Sequence, residues 1–457
     1  MFRGKVRRVH FVGIGGSGMS GIAEVLLNMQ FSVTGSDMKE GPVVARLRSL
    51  GGVIQIGHRA ENVAGADVVV KSTAIRDDNA EIVSAIAGKI PVIPRAEMLA
   101  ELMRMKYGVG IAGTHGKTTT TSMVAKCLHA YGLDPTVVIG GRLDHFGSSA
   151  RLGQGDYLVA EADESDGSFL LLDPTVAVVT NIDPEHMEHW GEFEKLVDGF
   201  VHFANKVPFY GFSVVCLDHP VVQRILPRLR RRCLTYGLAA QAEYRADRIR
   251  AEGRFLEFRV WKGEVALGEL RLAIPGRHNV LNALAATAVS MELDIPFADV
   301  QKGLCDFGGV DRRFSERVDK GGILVIDDYG HHPVEIQATL DAAADGYEGR
   351  RIVAVFQPHR YSRVHDLLHE FCRSFNRAAC VVVCPIYAAG EAPIPGATQE
   401  ALVQGLVEHG HRSVASVASL DAALEHLAGM VRAGDVVITL GAGDVNRICQ
   451  PLGERIA

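Results

Sequence analysis

Basic excess, long apolar runs and paired cysteines are what this chain lacks, and each absence narrows its function. The formal net charge is −6, whereas proteins that bind the nucleic-acid backbone carry a positive surplus, so no nucleic-acid partner is expected. Arg228, Arg230, Arg231 and Arg232 form a dense basic cluster, but so short a run reads as a solvated face. No uninterrupted apolar stretch reaches the roughly 20 residues of a membrane span, so no membrane partner is expected either. The opening MFRGKVRR resembles the start of a signal peptide, yet Gly13, Gly15, Gly16 and Gly18 break the apolar stretch behind it. No small-residue cleavage site precedes Glu24. The 8 cysteines are dispersed and include no CxxC, which suits reduced, buried thiols and a cytoplasmic location better than disulfides or zinc. Cys380 and Cys384 flank three valines and would share one face of a strand. No solenoid repeat or low-complexity segment is present, and no motif encodes an oligomeric state.

What the chain does have is length and alternation. Its 457 residues exceed what one core serves, which predicts two or three domains. Apolar strand-like runs alternate with amphipathic helical stretches, the pattern of parallel sheets covered by helices. The fold class expected is α/β in three domains. Residues 1–106 form a Rossmann-like domain and 107–316 a central domain built around a P-loop, its sheet mostly parallel with a small antiparallel region between Tyr244 and Ile274. Residues 317–457 form a second Rossmann-like α/β domain, beginning at GGILVIDDYGHHP.

Two glycine loops carry the chemistry. Gly13-x-Gly15-x-x-Gly18, with Asp37 19 positions later, fits the dinucleotide fingerprint, in which backbone N–H groups and a helix N-terminus meet a diphosphate and the acid meets a ribose. The second loop, Gly113-Thr114-His115-Gly116-Lys117-Thr118, is shorter than a strict Walker A but keeps its chemistry. Backbone donors face phosphate oxygens, Lys117 supplies a point charge and the Thr118 hydroxyl can ligate Mg²⁺. Acidic strand ends follow: Glu161, Asp163, Glu164 and Asp166, then Asp183, Glu185, His186 and His189. Such oxygen donors suit a hard cation.

GTHGKTTT, EADESDGSF, TNIDPEHMEHW, GRHNVLNALAA, GVDRRF, DDYGHHPVEI, FQPHRYSR and the terminal GAGD, in this order between Gly13 and Gly443, together resemble the Mur ligases. That resemblance implies an ATP-dependent ligase that phosphorylates a carboxylate and lets an amine attack the acyl phosphate. It is strongest to the branch that adds L-alanine to UDP-N-acetylmuramate in peptidoglycan precursor synthesis.

Carried over position by position, it assigns the ATP loop to Gly113, Thr114, His115, Gly116, Lys117, Thr118 and Thr119. Thr118, Glu161 and His186 hold Mg²⁺ (or Mn²⁺), Asn279 and Asn282 read adenine, and Asp328 binds ribose. Arg313 reaches the γ-phosphate, with Arg312 the weaker choice. Lys117, Glu161, His186 and Arg313 make the catalytic set. The amino acid falls to Tyr329, His331, His359, Arg360 and Arg363. The first glycine loop then takes UDP, with Gly15, Ser17, Gly18 and Met19 near the phosphates, Asp37 on the ribose, and His58, Ser72 and Thr73 around the rest of the nucleotide.

One departure from the family stands out: where several relatives place a carbamylated lysine, this chain has Phe200, and Lys195 is out of step. The resemblance also leaves the general base open between His186 and His331. His365 and His369 lack the HExxH order of a zinc site and read as surface residues. Three alternatives compete. A ligase that recycles a whole peptide onto the same UDP-sugar is nearest, an NAD-dependent oxidoreductase would leave the second loop without purpose, and a P-loop switch or motor would leave the first domain unexplained.

Overall fold

The computed structural model describes residues 6–72, 74–143 and 148–456, with the side chains of position 17 and of 140–150 excepted. The chain packs as two compact units, one of residues 1–247, 259–269 and 281–307, the other of 248–258, 270–280 and 308–457. Among the described residues no helix is long and apolar enough to cross a membrane.

In the first unit a five-stranded sheet runs in the order Val53–Ile56, Ser32–Asp37, Arg8–Val12, Val68–Lys71, Val92–Pro94, with every neighbouring pair parallel. The chain leaves Arg8–Val12 first to one side and then to the other. That reversal opens a crevice at the carboxyl ends of Arg8–Val12 and Val68–Lys71, the place where open α/β sheets bind ligands.

A second sheet repeats the device around Tyr107–Ala112, which lies parallel between Tyr157–Glu161 and Val176–Val179. Phe212–Cys216 and Cys233–Gly237 extend it in parallel on one side. Thr136–Leu143 continues it on the other side, and Ser148–Arg151 closes that edge in antiparallel fashion. Tyr244–Glu252, Phe255–Lys262 and Val265–Leu272 complete its ten strands. Their two-residue connections permit only hairpins, which is the antiparallel region expected from RFLEFRVW and EVALGELRLAI.

The second unit holds a six-stranded sheet in the order Ser315–Lys320, Ile323–Asp328, Asp435–Leu440, Arg351–Phe356, Cys380–Val383, Val414–Ser416. All neighbours are parallel except the first pair. Gly321 and Gly322, both at positive φ, supply the two-residue turn that such a hairpin demands. The sheet therefore begins at Ser315, and the boundary expected at residue 317 falls inside its first strand.

Strand alternation divides this core. Leu324, Ile326, Phe356, Val381 and Val383 pack on one face, while Ile323, Val325, Cys380, Val382 and Cys384 pack on the other. The two cysteines share a face, as their spacing requires.

Candidate active site

The first glycine loop is folded by its own backbone. Gly13 takes φ +80°, and the N–H groups of Gly13 and Ile14 both donate to Ser36 O, at 2.9 and 3.0 Å. Gly15 N–H donates to Asp37 Oδ2 at 2.8 Å, while Lys39 N–H lies 3.3 Å from Oδ1. Asp37 therefore closes the loop from the end of its strand. The Met19 side chain is 1% exposed, in the core, so it is the backbone of Met19, in the first turn of helix Ser17–Asn28, that borders the loop. Ser72 packs against Gly13, Thr73 lies outside the described residues, and His58 donates or accepts at Ser36 Oγ, 2.8 Å away. Arg95 was invisible in sequence. Its guanidinium lies so close over Gly18 that a Cβ there would stand 2.9 Å from Nη1, which brings a cation to the loop.

The second loop is cradled by the next strand end. Asn181 clamps His115 from both sides, accepting its N–H at 2.7 Å and donating Nδ2 to its carbonyl at 3.0 Å. Thr180 Oγ1 donates to the same carbonyl at 2.6 Å, and Asp183 N–H donates to Thr114 Oγ1 at 2.8 Å. Gly113, at φ +138°, could carry no side chain, since a Cβ would lie 1.9 Å from Thr180 Oγ1. Gly116 is left-handed and hands the chain into helix Lys117–Ala130, so the unbonded N–H groups of its first turn face the loop. Asn282 sits on this loop: its Oδ1 accepts from Thr120 Oγ1 at 3.1 Å and touches Gly116.

Lys117 Nζ donates to Gly113 O, Thr114 O and Glu164 Oε1 at 2.6, 3.1 and 3.0 Å. Burial works to depress its pKa, but Glu164, Asp163 and Glu161 outweigh that and hold it above the ordinary lysine value, so the ammonium stays charged. Burial pushes Asp163 the other way, and Lys117, Ser165 and Arg95 reverse the shift to leave it below the usual carboxylate range. Glu161 closes its strand, and His186 caps helix Met187–Trp190 at φ +58°, a conformation that costs a non-glycine residue about 1–3 kcal/mol and clusters at functional sites. Thr118 and Glu161 supply the hard oxygens Mg²⁺ prefers. Among the described residues no three His, Cys, Asp or Glu side chains converge into a ready cation cage, so a cation here would complete its shell with nucleotide phosphates. Phe200 packs edge-on to Phe169, centroids 5.3 Å apart, in the core, and Lys195 is 62% exposed beside Glu192. No lysine occupies a carbamate position there.

In the second unit the expected residues gather at the carboxyl ends of Ile323–Asp328 and Arg351–Phe356. Arg313 Nη1 donates to Glu335 Oε1 at 3.1 Å and its guanidinium lies 5.3 Å from the Tyr329 ring. Burial lowers its pKa, but Glu335 and Asp328 overcome that and raise it. Arg312 is instead a structural brace, donating to Gly441 O, Gly443 O and the buried Asp327 at 2.7, 3.0 and 3.2 Å. Asp328 accepts the N–H groups of Phe314 and Gly330, both at 2.7 Å, so its oxygens organise this turn; burial raises its pKa against the pull of Arg313. Asn279 donates Nδ2 to Pro275 O at 2.6 Å.

The His331 and His359 rings lie 5.8 Å apart, and His359 stacks on Tyr387 at 5.4 Å and 7°. Arg363 Nη1 is 3.5 Å from His359 Nδ1. Arg360, at φ +70°, turns its guanidinium to Glu391, 3.8 Å away. Burial, with His331 and the two arginines adding to it, depresses the His359 pKa to about 4. A neutral imidazole beside the Arg363 guanidinium is an arrangement suited to a small carboxylate. Tyr387 and Glu391 escaped sequence reasoning because only tertiary packing brings them here; Glu335, which lies four residues after His331 and caps the same helix start, and Asn181, which follows the strand VAVVT in the same run as His186, could have been found.

Three family models tile the chain: the Mur ligase catalytic domain over residues 8–107, the Mur ligase middle domain over 111–290 and the Mur ligase glutamate ligase domain over 312–443. A protein of Geobacter sp. (strain M21) called UDP-N-acetylmuramate–L-alanine ligase is 57% identical over 453 residues, 99% of this chain and 98% of its own length. One of the same name from Sorangium cellulosum is 57% identical over 461 residues, covering 100% and 98%. Among solved structures, UDP-N-acetylmuramate-alanine ligase from Thermotoga maritima superposes with a TM-score of 0.82 at 31% identity, over 98% of both chains. A murein peptide ligase from Psychrobacter arcticus shares the fold with a TM-score of 0.69 at 24% identity, again over 98% of both.

Proposed function

The chain belongs to the Mur ligase family, and from that premise we propose that it joins L-alanine to the carboxylate of UDP-N-acetylmuramate, using ATP. The full-length 57% identity to ligases of that name carries the reading. Two separate phosphate cradles in one chain agree with it, because a nucleotide-sugar and ATP each need one. An NAD-dependent oxidoreductase would leave the Lys117 loop idle, and the peptide-recycling ligases resemble this chain at the level of fold.

In this reading the γ-phosphoryl of ATP passes to the muramyl carboxylate, and the alanine amine attacks the resulting acyl phosphate to form the amide and release phosphate. Substrate groups react with one another, so the protein's task is to position them and to stabilise charge. Lys117 and the first turn of its helix hold the β- and γ-phosphates, and Arg313 adds a second cation. A divalent cation held by Thr118, Glu161 and His186 would neutralise phosphate charge. Asn279 and Asn282 border the adenosine, with Asp328 near its ribose. Tyr329, His331, His359, Arg360 and Arg363 receive alanine. The first loop, with Gly15, Ser17, Gly18, Asp37, His58, Ser72, Thr73 and the newly placed Arg95, takes UDP. The domains then divide near residue 106 and just before the strand Ser315–Lys320, and the reaction belongs in the cytoplasm, where precursors and ATP meet.

The test is phosphate release from ATP by the full chain. It should require UDP-N-acetylmuramate and L-alanine together; equal release without either, or better turnover with a tripeptide than with alanine, would refute the assignment.

A further inference from the structure

Glu81 is 0% exposed and sits under the first site with no part in the reading above. Its Oε1 accepts from Asn62 Nδ2 at 2.5 Å and from Arg59 N–H at 3.2 Å. Its Oε2 accepts from Ser36 Oγ at 2.6 Å and lies 3.3 Å from His10 Nε2. Burial alone would raise its pKa, but His10, Ser36 and Asn62 reverse the shift and lower it. Glu81 is thus a carboxylate, able only to accept.

That fixes a chain of proton positions. The Ser36 hydroxyl hydrogen is spent on Glu81, so Ser36 Oγ meets His58 Nδ1, 2.8 Å away, with a lone pair. Nδ1 must then carry a hydrogen, and in the neutral ring Nε2 is left as an acceptor. His58 is 12% exposed, and Nε2 makes no hydrogen bond to a described residue.

The position of His58 along the sheet says which part of a nucleotide it would meet. Ser36 O receives the N–H groups of Gly13 and Ile14, so one residue anchors both the glycine loop and His58. From that loop, the sheet steps outward through Asp37 at the end of Ser32–Asp37 to Gly57 and His58 after Val53–Ile56, and Gly57 N–H donates to Asp37 O at 2.8 Å. A nucleotide whose diphosphate occupies the loop and whose ribose lies by the second strand extends its base toward the third.

We propose that Ser36 and Glu81 are positioning residues that hold His58 as its Nδ1–H tautomer, so that Nε2 accepts the imide N–H of uracil and rejects cytosine, whose ring nitrogen there is itself an acceptor. The proposal rests on the reading of this loop as the UDP site. A carboxylate that merely glued helix Ala80–Ala87 to the sheet would affect stability but not base preference.

Histidine-labelled full-length protein, with His58 assigned through His58→Gln, reports the tautomer by long-range proton–nitrogen NMR correlation. Calorimetry with UDP and with CDP reports the preference. The expected wild-type result is the Nδ1–H tautomer and UDP bound roughly tenfold or more tighter than CDP. Glu81→Gln keeps the size but puts an NH₂ where Oε2 was; Ser36 Oγ then accepts from it and donates to Nδ1, so His58 should switch to Nε2–H and the UDP preference should vanish or invert. An Nε2–H tautomer in the wild type, or an unchanged UDP-to-CDP ratio in folded Glu81→Gln, overturns the proposal alone. If the wild type binds neither nucleotide, the UDP reading falls and takes the proposal with it.

Discussion

Lys117 Nζ lies 2.9 Å from Glu164 Oε2 while the same atom donates to Gly113 O at 2.6 Å. The lysine is therefore held inside its own loop, with a buried anion keeping it charged where phosphates would sit. Lys117→Ala should lower kcat by about 10²–10³-fold, the loss typical of one removed electrostatic stabiliser. Calorimetry should find UDP binding nearly unchanged, because the first glycine loop is a separate cradle. Loss of UDP affinity would contradict that division of labour.

Gly113→Ala tests the fit between the loop and the following strand end. The new methyl would lie 1.9 Å from Thr180 Oγ1 at a backbone φ of +138°, a conformation open to glycine and costly to alanine. The loop must shift, and ATP affinity should fall by at least about tenfold, since 1.4 kcal/mol of strain suffices for that. Fluorescent-nucleotide titration measures it.

His359 should titrate near its depressed pKa of about 4, well below the 6.5 of a free imidazole. The fold thus favours its neutral form: the stabilisation is complete above pH 6.5 and is lost as the pH falls from there toward 4. Proton NMR of the ring should show no His359 titration between pH 6 and 8. A midpoint near neutrality would show that the Tyr387 stack does not shield it.

Asp435 and Arg351 brace the third sheet away from any site. Arg351 donates Nε and Nη2 to the two carboxylate oxygens at 2.8 and 2.6 Å, and Asp435 is 1% exposed. Burial raises the aspartate pKa, but Arg351 and the Arg432 N–H overcome that and leave it depressed. Asp435→Asn should cost about 1–3 kcal/mol of stability, less than for a fully buried pair because Arg351 is partly exposed. The aspartate's contribution is present above pH 3.8 and disappears as the pH falls through its lower folded value. Denaturant melts at pH 7 and pH 3 should therefore differ for the wild type by more than for the variant.

Much of the architecture was legible in the chain because its cues are local. Apolar runs ending in glycine loops place Gly13 and Gly113 at strand ends, period-two alternation puts Cys380 and Cys384 on one face, and the Gly-Lys-Thr sequence marks a phosphate loop whatever surrounds it. The third sheet's start at Ser315 was missed because SERVDK is mostly polar and becomes a strand only by pairing with Ile323–Asp328.

By itself, then, the sequence determined the class of fold and the two glycine loops, which rest on backbone conformation and on residues adjacent in the chain, while the ligase chemistry came with the resemblance of its motifs to the Mur ligases. Tertiary structure alone decided which polar groups are spent inside the protein. Asp37 and Asp328 accept backbone N–H groups, Arg312 braces a loop, Met19 points into the core, Arg95 comes over Gly18 and Glu81 comes to Ser36. A side chain's hydrogen-bonding capacity is written in its type, but the partner that consumes it comes from a distant segment, and only the folded packing brings the two within 3 Å.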